Sequence, residues 1–543
     1  MSYPQQLKAM ATRLSNYSST IRKVSPQGKD DGYVAGDVAR FLLPSNTMVD
    51  FRTLTMHFTG STKAADNKGA VLFPSLTTSL IDQIVVSAGG IQIEATPRQW
   101  GQLAKMLDDF TAGTEKRRAR TLLNNERMAA LDPKTGDFFS IANWDKGITD
   151  DNDLNLVDAF PTLAPGNRET NRRFAIDEWP GCFLGTVNPS VISTALTGDI
   201  MLEFRFAPNS ILASVGVGGE KVTATNDAPA LDADGDTTMR EADDQAVGFG
   251  ELGTIGAVDA TELNKPSSPS YVLDDLHLSV KTIDISDGQF YEWLKAEVTA
   301  EPLAMPFQHF VVQPGQTTAV GSAAQTTRMT VNSSSVDYLL GTFVPADFED
   351  GTLLPKAERA YNMTKPKRKY YNIPKTYLAQ GTYGNTQTSR YFQRGGIDIM
   401  SDTPFESSFS VNNVLLDYPC DLATVWCKAK DEFNLGKTQG TNMNPRLQKL
   451  AHFAQGFFVV PQRLNFNTGE ADNSRILSGL DSRNASVSIQ WKTTGTLEKC
   501  VKVKANAADK DTYVDAMQVI PMLYAATTAV LRVSEGRVLD LVY

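Results

Sequence analysis

The stretch from Ile84 to Ala95, "IVVSAGGIQIEA", joins two runs of β-branched residues through Gly89-Gly90. Glycine takes the positive φ that a two-residue hairpin turn needs, so the stretch predicts a β-hairpin. "TPRQWGQLAKMLDDF" follows at 96–110 and puts Trp100, Leu103, Leu107 and Phe110 on one face of a helix over 97–110. Pro97 suits the first helical position and Thr96 its cap. The unit is hairpin then helix, with no obvious catalytic residue type. Whether it recurs decides the architecture.

It recurs. "FSVNNVLLDYPCDLATVWCKAKDEF" (409–433) is an apolar strand, a proline and then a helix over about 419–434, with Leu422, Trp426, Ala429 and Phe433 on one face. Upstream in each half lies a related strand, "SLIDQIVVSA" (79–88) and "SSVDYLLGTF" (334–343). Downstream, "FAIDEWPGCFLG" (174–185) is matched by "FAQGFFVVPQRL" (453–464), and "ISTALTGDIMLEFRF" (192–206) by "ILSGLDSRNASVSIQW" (476–491). Four anchors in one order predict two similar domains in tandem. The expected layout is an N-terminal arm (1–30), a first domain (31–285), a linker (286–300) with a helix over 290–299, and a second domain (301–543).

Most other segments read as strand. "IMLEFRF" (200–206) alternates, with Ile200, Leu202, Phe204 and Phe206 on one face. "MVDFRTLTMHF" (48–58), "YVLDDLHLSV" (271–280) and a closing pair over 529–542 add to an all-β chain with few helices, of sandwich or jelly-roll type. The chain has 543 residues, 41% apolar and 21% charged, enough for two cores and too little charge for general disorder. Its net charge of −10 argues against nonspecific nucleic-acid binding by the whole surface. Cys182, Cys420, Cys427 and Cys500 form no CxxC pair and read as reduced thiols. Leu7, Met10 and Leu14 fit either a basic amphipathic arm or a frayed helix, and the N-terminus lacks the apolar core of a signal peptide. The most apolar run, 516–531, is broken by Gln518 and Pro521 and reads as strand, not as a membrane span.

Three long insertions interrupt the pattern, at 111–173, 207–270 and 344–408. The first carries the basic run "EKRRAR" (115–120). In the second, 227–260 has nine acidic residues against one basic. In the third, 356–394 has nine basic residues, among them Lys365, Lys367, Arg368 and Lys369, against one acidic. Tyr370, Tyr371, Tyr377, Tyr383 and Tyr391 lie among them, as suits an interface loop or a nucleic-acid or glycan surface. If 79–88 and 90–95 are the third and fourth strands, the third insertion opens the Gly89-Gly90 turn of the other domain. Both charged insertions then rise from one end.

Chemistry is sparse. Asp232, Asp234 and Asp236 alternate as in a calcium loop, but the glycine is misplaced and Asp243 stands where a glutamate is expected. The four histidines, His57, His277, His309 and His452, form no HxH or HExxH motif. No nucleophile elbow, phosphate loop or carboxylate pair stands out, so no catalytic, cofactor or metal residue is named.

Taken with the anchors 79–110, 174–206, 271–283, 334–343, 408–434, 453–491 and 517–542, the chain resembles the double jelly-roll major capsid proteins of tailless icosahedral DNA viruses. It is closest in flavour to those of virophages and polinton-like viruses, especially in "SLIDQIVVSAGGIQIEATPRQWGQLAKMLDDF" (79–110). The resemblance implies two tandem eight-stranded jelly rolls and a homotrimer of pseudo-hexagonal outline arrayed in a virion shell. It implies penton or minor capsid proteins as further partners and is compatible with an internal membrane. It implies no enzyme activity, no cofactor and no specific nucleic acid. Trp100, Phe110, Trp426 and Phe433, with Lys365, Lys367, Arg368 and Lys369, are the expected structural or subunit-contact residues. The alternatives are a two-domain jelly-roll carbohydrate-binding or polysaccharide-active protein, and a minor capsid or spike protein.

Overall fold

The structure, a computed structural model, describes residues 17–29, 31–63, 69–72, 77–111, 129–131, 138–140, 172–216, 270–285, 288–319, 324–345, 406–432, 459–464, 479–483, 487–494, 502–503, 512–513, 518–534 and 538–543. From the amino end the strands are β1 (Tyr17–Val24), β2 (Val38–Leu42), β3 (Met48–Lys63), β4 (Gly69–Leu72), β5 (Ile81–Ala88), β6 (Ile91–Ala95), β7 (Ala129–Leu131), β8 (Phe138–Ser140), β9 (Arg172–Ile176), β10 (Val191–Ser193), β11 (Ile200–Phe206), β12 (Ala213–Gly216) and β13 (Ser270–Ile285). One antiparallel sheet runs β1-β13-β3, with β9 and β10 both on the far side of β3; its partner runs β2-β11-β5-β6. Counting β9 and β10 as one broken strand, the orders are first-eighth-third-sixth and second-seventh-fourth-fifth, the wrapping of a jelly roll. Small ribbons β4–β12 and β7–β8 decorate it.

The same wrapping repeats. The second set is β14 (Leu303–Pro314), β15 (Thr318–Ala319), β16 (Ala324–Thr330), β17 (Val336–Pro345), β18 (Glu406–Val411), β19 (Val414–Leu415), β20 (Cys420–Asp421), β21 (Val460–Arg463), β22 (Ser488–Thr494), β23 (Lys502–Val503), β24 (Thr512–Tyr513), β25 (Gln518–Ser534) and β26 (Val538–Val542). Its sheets run β14-β25-β17-β21 and β16-β22-β18-β19, so each position of the first roll has a counterpart. The fold is all-β, two tandem eight-stranded jelly rolls. From Gln518 onward the apolar run 516–531 lies in β25, paired on both sides.

The alternation read at 200–206 is realised: Ile200, Leu202, Phe204 and Phe206 are buried and the residues between them are not. The helices are α1 (Trp100–Thr111), α2 (Phe183–Thr186), α3 (Thr194–Thr197), α4 (Gly288–Ala300) and α5 (Leu422–Glu432). α1 starts at Trp100, three residues later than expected. Thr96 is not its cap: the Thr96 hydroxyl accepts the Ile84 N–H (2.8 Å), and the Asp82 carboxylate takes the N–H of Gln99, which has positive φ. In α5, Asp421 does cap, accepting the Thr424 N–H at 2.8 Å.

Two strand assignments change. The hairpin β5–β6 supplies the fourth and fifth strands of the roll, not the third and fourth. The segment 334–343 falls in β17, a third strand, so it matches β3 and not 79–88. The true counterpart of Gly89-Gly90 is Asn412-Asn413, between β18 and β19. All four residues have positive φ, between 50° and 84°, the requirement of a tight turn, and asparagine tolerates it best after glycine. The turn is therefore retained, and the insertion 344–408 lies elsewhere, in the connection between the third and fourth strands, β17 and β18. It is also shorter than read, because 344–345 and 406–408 are strand. The connection after β11 likewise begins with described structure, ending in β12 at Gly216.

Strand parity puts the connections third-to-fourth and seventh-to-eighth at one end of a roll, and fourth-to-fifth and sixth-to-seventh at the other. Contacts agree: β12 pairs with β4, whereas the Gly89 N–H donates to the Asp199 carbonyl (3.0 Å). The two misassignments cancel, so both charged insertions leave from the same kind of end. The segments 227–260 and 356–394 themselves lie outside the described residues.

Candidate assembly surfaces

The two rolls meet along a seam between β6 with its neighbours and the outer edge of β14. A register shift at Val86/Ser87 breaks strict alternation in β6, so that Ile93 and Glu94 are both buried. Glu94 has no exposed surface. One of its oxygens accepts the Phe183 N–H at 2.6 Å, and the other lies 3.1 Å from His309 Nδ1 on β14. The His309 ring packs on Tyr543, 5.4 Å between centroids, and the Tyr543 hydroxyl donates to the Ile93 carbonyl at 2.9 Å. The backbone edge of β14 is used as well: the Gln308 N–H donates to the Thr186 hydroxyl (2.9 Å), and the Asn188 N–H donates to the Pro306 carbonyl (3.0 Å). Phe183 meets Phe307 edge-on at 5.0 Å.

Burial outweighs the histidine contact and raises the Glu94 carboxyl above the usual range. Burial, then Glu94, pushes the Cys182 thiol well up, and the same two causes raise the Tyr543 phenol. A protonated, buried thiol is a poor nucleophile. The seam joins rolls; it does not expose a reactive group. His57 and His277, remote in sequence, are partners across β3 and β13 with rings stacked at 5.1 Å. Burial, then His277, lowers the His57 pKa, and Ser279 lies 2.8 Å from its Nε2. Among the described residues no group of three or more His, Cys, Asp or Glu could hold a metal ion, and no helix is long and apolar enough to cross a membrane.

Trp100 is fully buried inside the first roll, stacked on Trp179 at 6.3 Å, and Trp179 packs on Phe204 at 5.3 Å. Leu103, Ala104, Met106 and Leu107 of α1 are buried beside it. Trp426 of α5 is half-buried against the core. The Phe110 side chain, Phe433, Lys365, Lys367, Arg368, Lys369, and the Asp232/Asp234/Asp236 run lie outside the described residues. Sequence reading missed Glu94, His309 and Tyr543.

The counterparts of the seam strands in the other roll are bare. β1 stands where β14 stands, at the outer edge of its sheet, and Ser18 to Lys23 are all exposed. The β18–β19 hairpin stands where β5–β6 stands; Val414 and Leu415 after its turn are exposed, as Ile91 and Gln92 are after Gly89-Gly90, whereas Leu416 and Asp417 are less covered than Ile93 and Glu94.

A twice-repeated first-eighth-third-sixth and second-seventh-fourth-fifth wrapping defines the double jelly roll. Among solved structures, a chain of the Sputnik virophage shares this fold: 10% identity, 96% of this chain and 88% of that one covered, TM-score 0.51. The PBCV-1 virus capsid aligns at 13% identity over 97% of both chains with a TM-score of 0.47. The mavirus major capsid protein aligns at 9% identity over 96% of this chain and 90% of that one, with a TM-score of 0.46. No protein-family model and no curated protein matches the sequence.

Proposed function

We propose that the chain is a major capsid protein that self-assembles into homotrimeric, pseudo-hexagonal capsomers of an icosahedral virion shell. The observation that carries this reading is the duplicated jelly roll, shared across nearly the whole chain with a chain of the Sputnik virophage. In this reading the function is contact and not catalysis. Its working parts are the two rolls, with β1 (Tyr17–Val24) joining the first roll 31–285 although the sequence reading counts it in the arm 1–30, the second roll 301–543 and the linker 286–300. Its partners are copies of itself, then penton or minor capsid proteins, in a virion built inside the host cell. Trp100 and Phe110 brace the first roll, Trp426 and Phe433 the second, and Lys365, Lys367, Arg368 and Lys369 serve contacts of the basic insertion.

Sizing by light scattering, with electron microscopy of concentrated protein, tests the reading. A stable trimer that forms hexagonal arrays is the expected result. A monomer that binds glycans on an array would overturn it in favour of a lectin-like protein.

A further inference from the structure

We infer that the stacked His57–His277 pair is an acid-operated catch: when both rings gain protons, β13 is pushed from β3 at its bulge and the edge strand β1 loosens. The inference stands apart from the capsid reading and concerns the first roll alone.

The catch sits at a break in the sheet. The β13–β3 register shifts between Asp274 and His277, and Asp275 takes positive φ there (47°), its N–H given to the Asp31 carboxylate at 2.7 Å. The next paired residue, His277, stands opposite His57 on β3, with the rings nearly parallel (21°) and their centroids 5.1 Å apart. Stacking suits neutral rings, whereas two imidazolium charges at that spacing repel. The His277 Nδ1–H donates to the Asp275 carbonyl at 2.8 Å, so this ring takes its second proton at Nε2. His57 Nε2 lies 2.8 Å from the hydroxyl of Ser279, the β13 residue opposite Lys23 of β1.

The charges around the pair do not neutralise it. Lys23 acts on it from β1, and Arg173 of β9 sits opposite Thr59, two residues from His57 on the same face. Asp275 is shared: its Oδ1 lies 3.2 Å from Lys23 Nζ and 3.4 Å from His277 Nδ1. Lys23 first, then His277 and Arg173, hold that carboxyl below its usual range, so acidification brings out no new negative charge there. Asp31 lies behind the bulge, and Asp177 follows β9, exposed. A proton on His277 therefore competes with Lys23 for Asp275. β1 is the element that yields, because it pairs with β13 alone, whereas β13 and β3 are paired on both sides.

The sign follows from the geometry. Burial, then His277, lowers the folded-state pKa of His57, so the unfolded chain takes that proton first. Its contribution to stability is fully present well above the ordinary histidine value of about 6.5 and is lost as pH falls through it toward the folded value. Glu94 at the seam has the opposite sign, so acid loosening of β1 is not its work.

The test is hydrogen exchange of the full-length protein, read by mass spectrometry on peptides from β1 and, as reference, from β17 of the second roll. Rates are corrected for the intrinsic effect of pH. From about pH 7.5 to about pH 5, protection of β1 should fall about tenfold or more relative to β17. The double variant His57→Gln with His277→Gln, checked for folding by circular dichroism, should show no such relative loss. His277→Gln alone, which should also lessen the loss, decides the matter if the double variant does not fold. Wild-type β1 that keeps its protection relative to β17 would overturn the inference. So would a folded variant with the full wild-type loss, which would assign the pH effect to other groups.

Discussion

β14 and β1 hold the same place in their rolls, yet they meet different surroundings. On β14 Met305, Phe307 and Phe310 are buried and the other residues as far as Val312 are partly covered, because β6, α2 and Tyr543 lie over the strand. On β1 every residue from Ser18 to Lys23 faces solvent, although the strand is fully paired with β13 along its other edge. One wrapping thus yields a covered edge strand and a bare one. The difference teaches that the repeat sets the shape, while what lies beside each roll sets which surface is finished. Edge strands left open can template pairing with another chain.

The comparison breaks first at Glu94. Glu94→Ala removes one partner of a buried pair and should cost about 3–5 kcal/mol, measured by denaturant unfolding. Asp417→Ala, at the matching place in the bare hairpin, should cost about 0–1 kcal/mol in the unassembled chain. Equal costs would mean that the two hairpins are not in different surroundings. Trp100→Ala should likewise cost about 3–5 kcal/mol, for a fully buried aromatic truncated in a core. Trp426→Ala, half-buried on the matching helix, should cost less than half of that, and thermal melting of the two variants compares them.

The pH dependence sharpens the seam. The folded-state pKa of Glu94 is raised, so the folded chain holds that proton more tightly than the unfolded chain. The group therefore adds nothing to the slope below its unfolded pKa, and it lowers stability as pH rises from there through its folded pKa. Glu94→Gln keeps an acceptor for the Phe183 N–H and removes the titration. Stability of wild type relative to Glu94→Gln should fall between weakly acidic and neutral pH. A constant difference across that window would show that Glu94 is not buried at the seam. The smallest effect belongs to the turns. Replacing Asn412-Asn413 by Gly-Gly should change stability by less than about 1 kcal/mol, since both pairs reach positive φ.

Much of this was legible locally. The Gly-Gly turn, the alternation of β11 and the apolar face of α1 each depend on neighbours in sequence, and each appears as read, the face of α1 at Trp100, Leu103 and Leu107. The sheet position of 334–343 was not legible. A strand's alternation tells which face is buried and nothing of which strand lies beside it, so a third strand passed for a fourth. That error carried the insertion 344–408 to the wrong turn. Glu94 was hidden for a different reason. In "IQIEA" it reads as an outward polar residue, and only the register shift opposite Val86/Ser87 turns it inward. The partner that makes burial tolerable, His309, is 215 positions away.

The ends of the rolls differ in what they let a sequence gain. At one end, Gly89-Gly90 and Asn412-Asn413 close by two residues at positive φ, and Gly89 lies against the backbone of Thr197, so added length there has nowhere to go. At the other end, β11 to β13 and β17 to β18 are joined by dozens of residues with no cost to the strand pairing on either side. Doubling such a connection costs only about 0.6 kcal/mol in closure entropy. The end that carries these connections is therefore a place where lineage or engineer can write new sequence, while the turns at Gly89-Gly90 and Asn412-Asn413 are closed to revision.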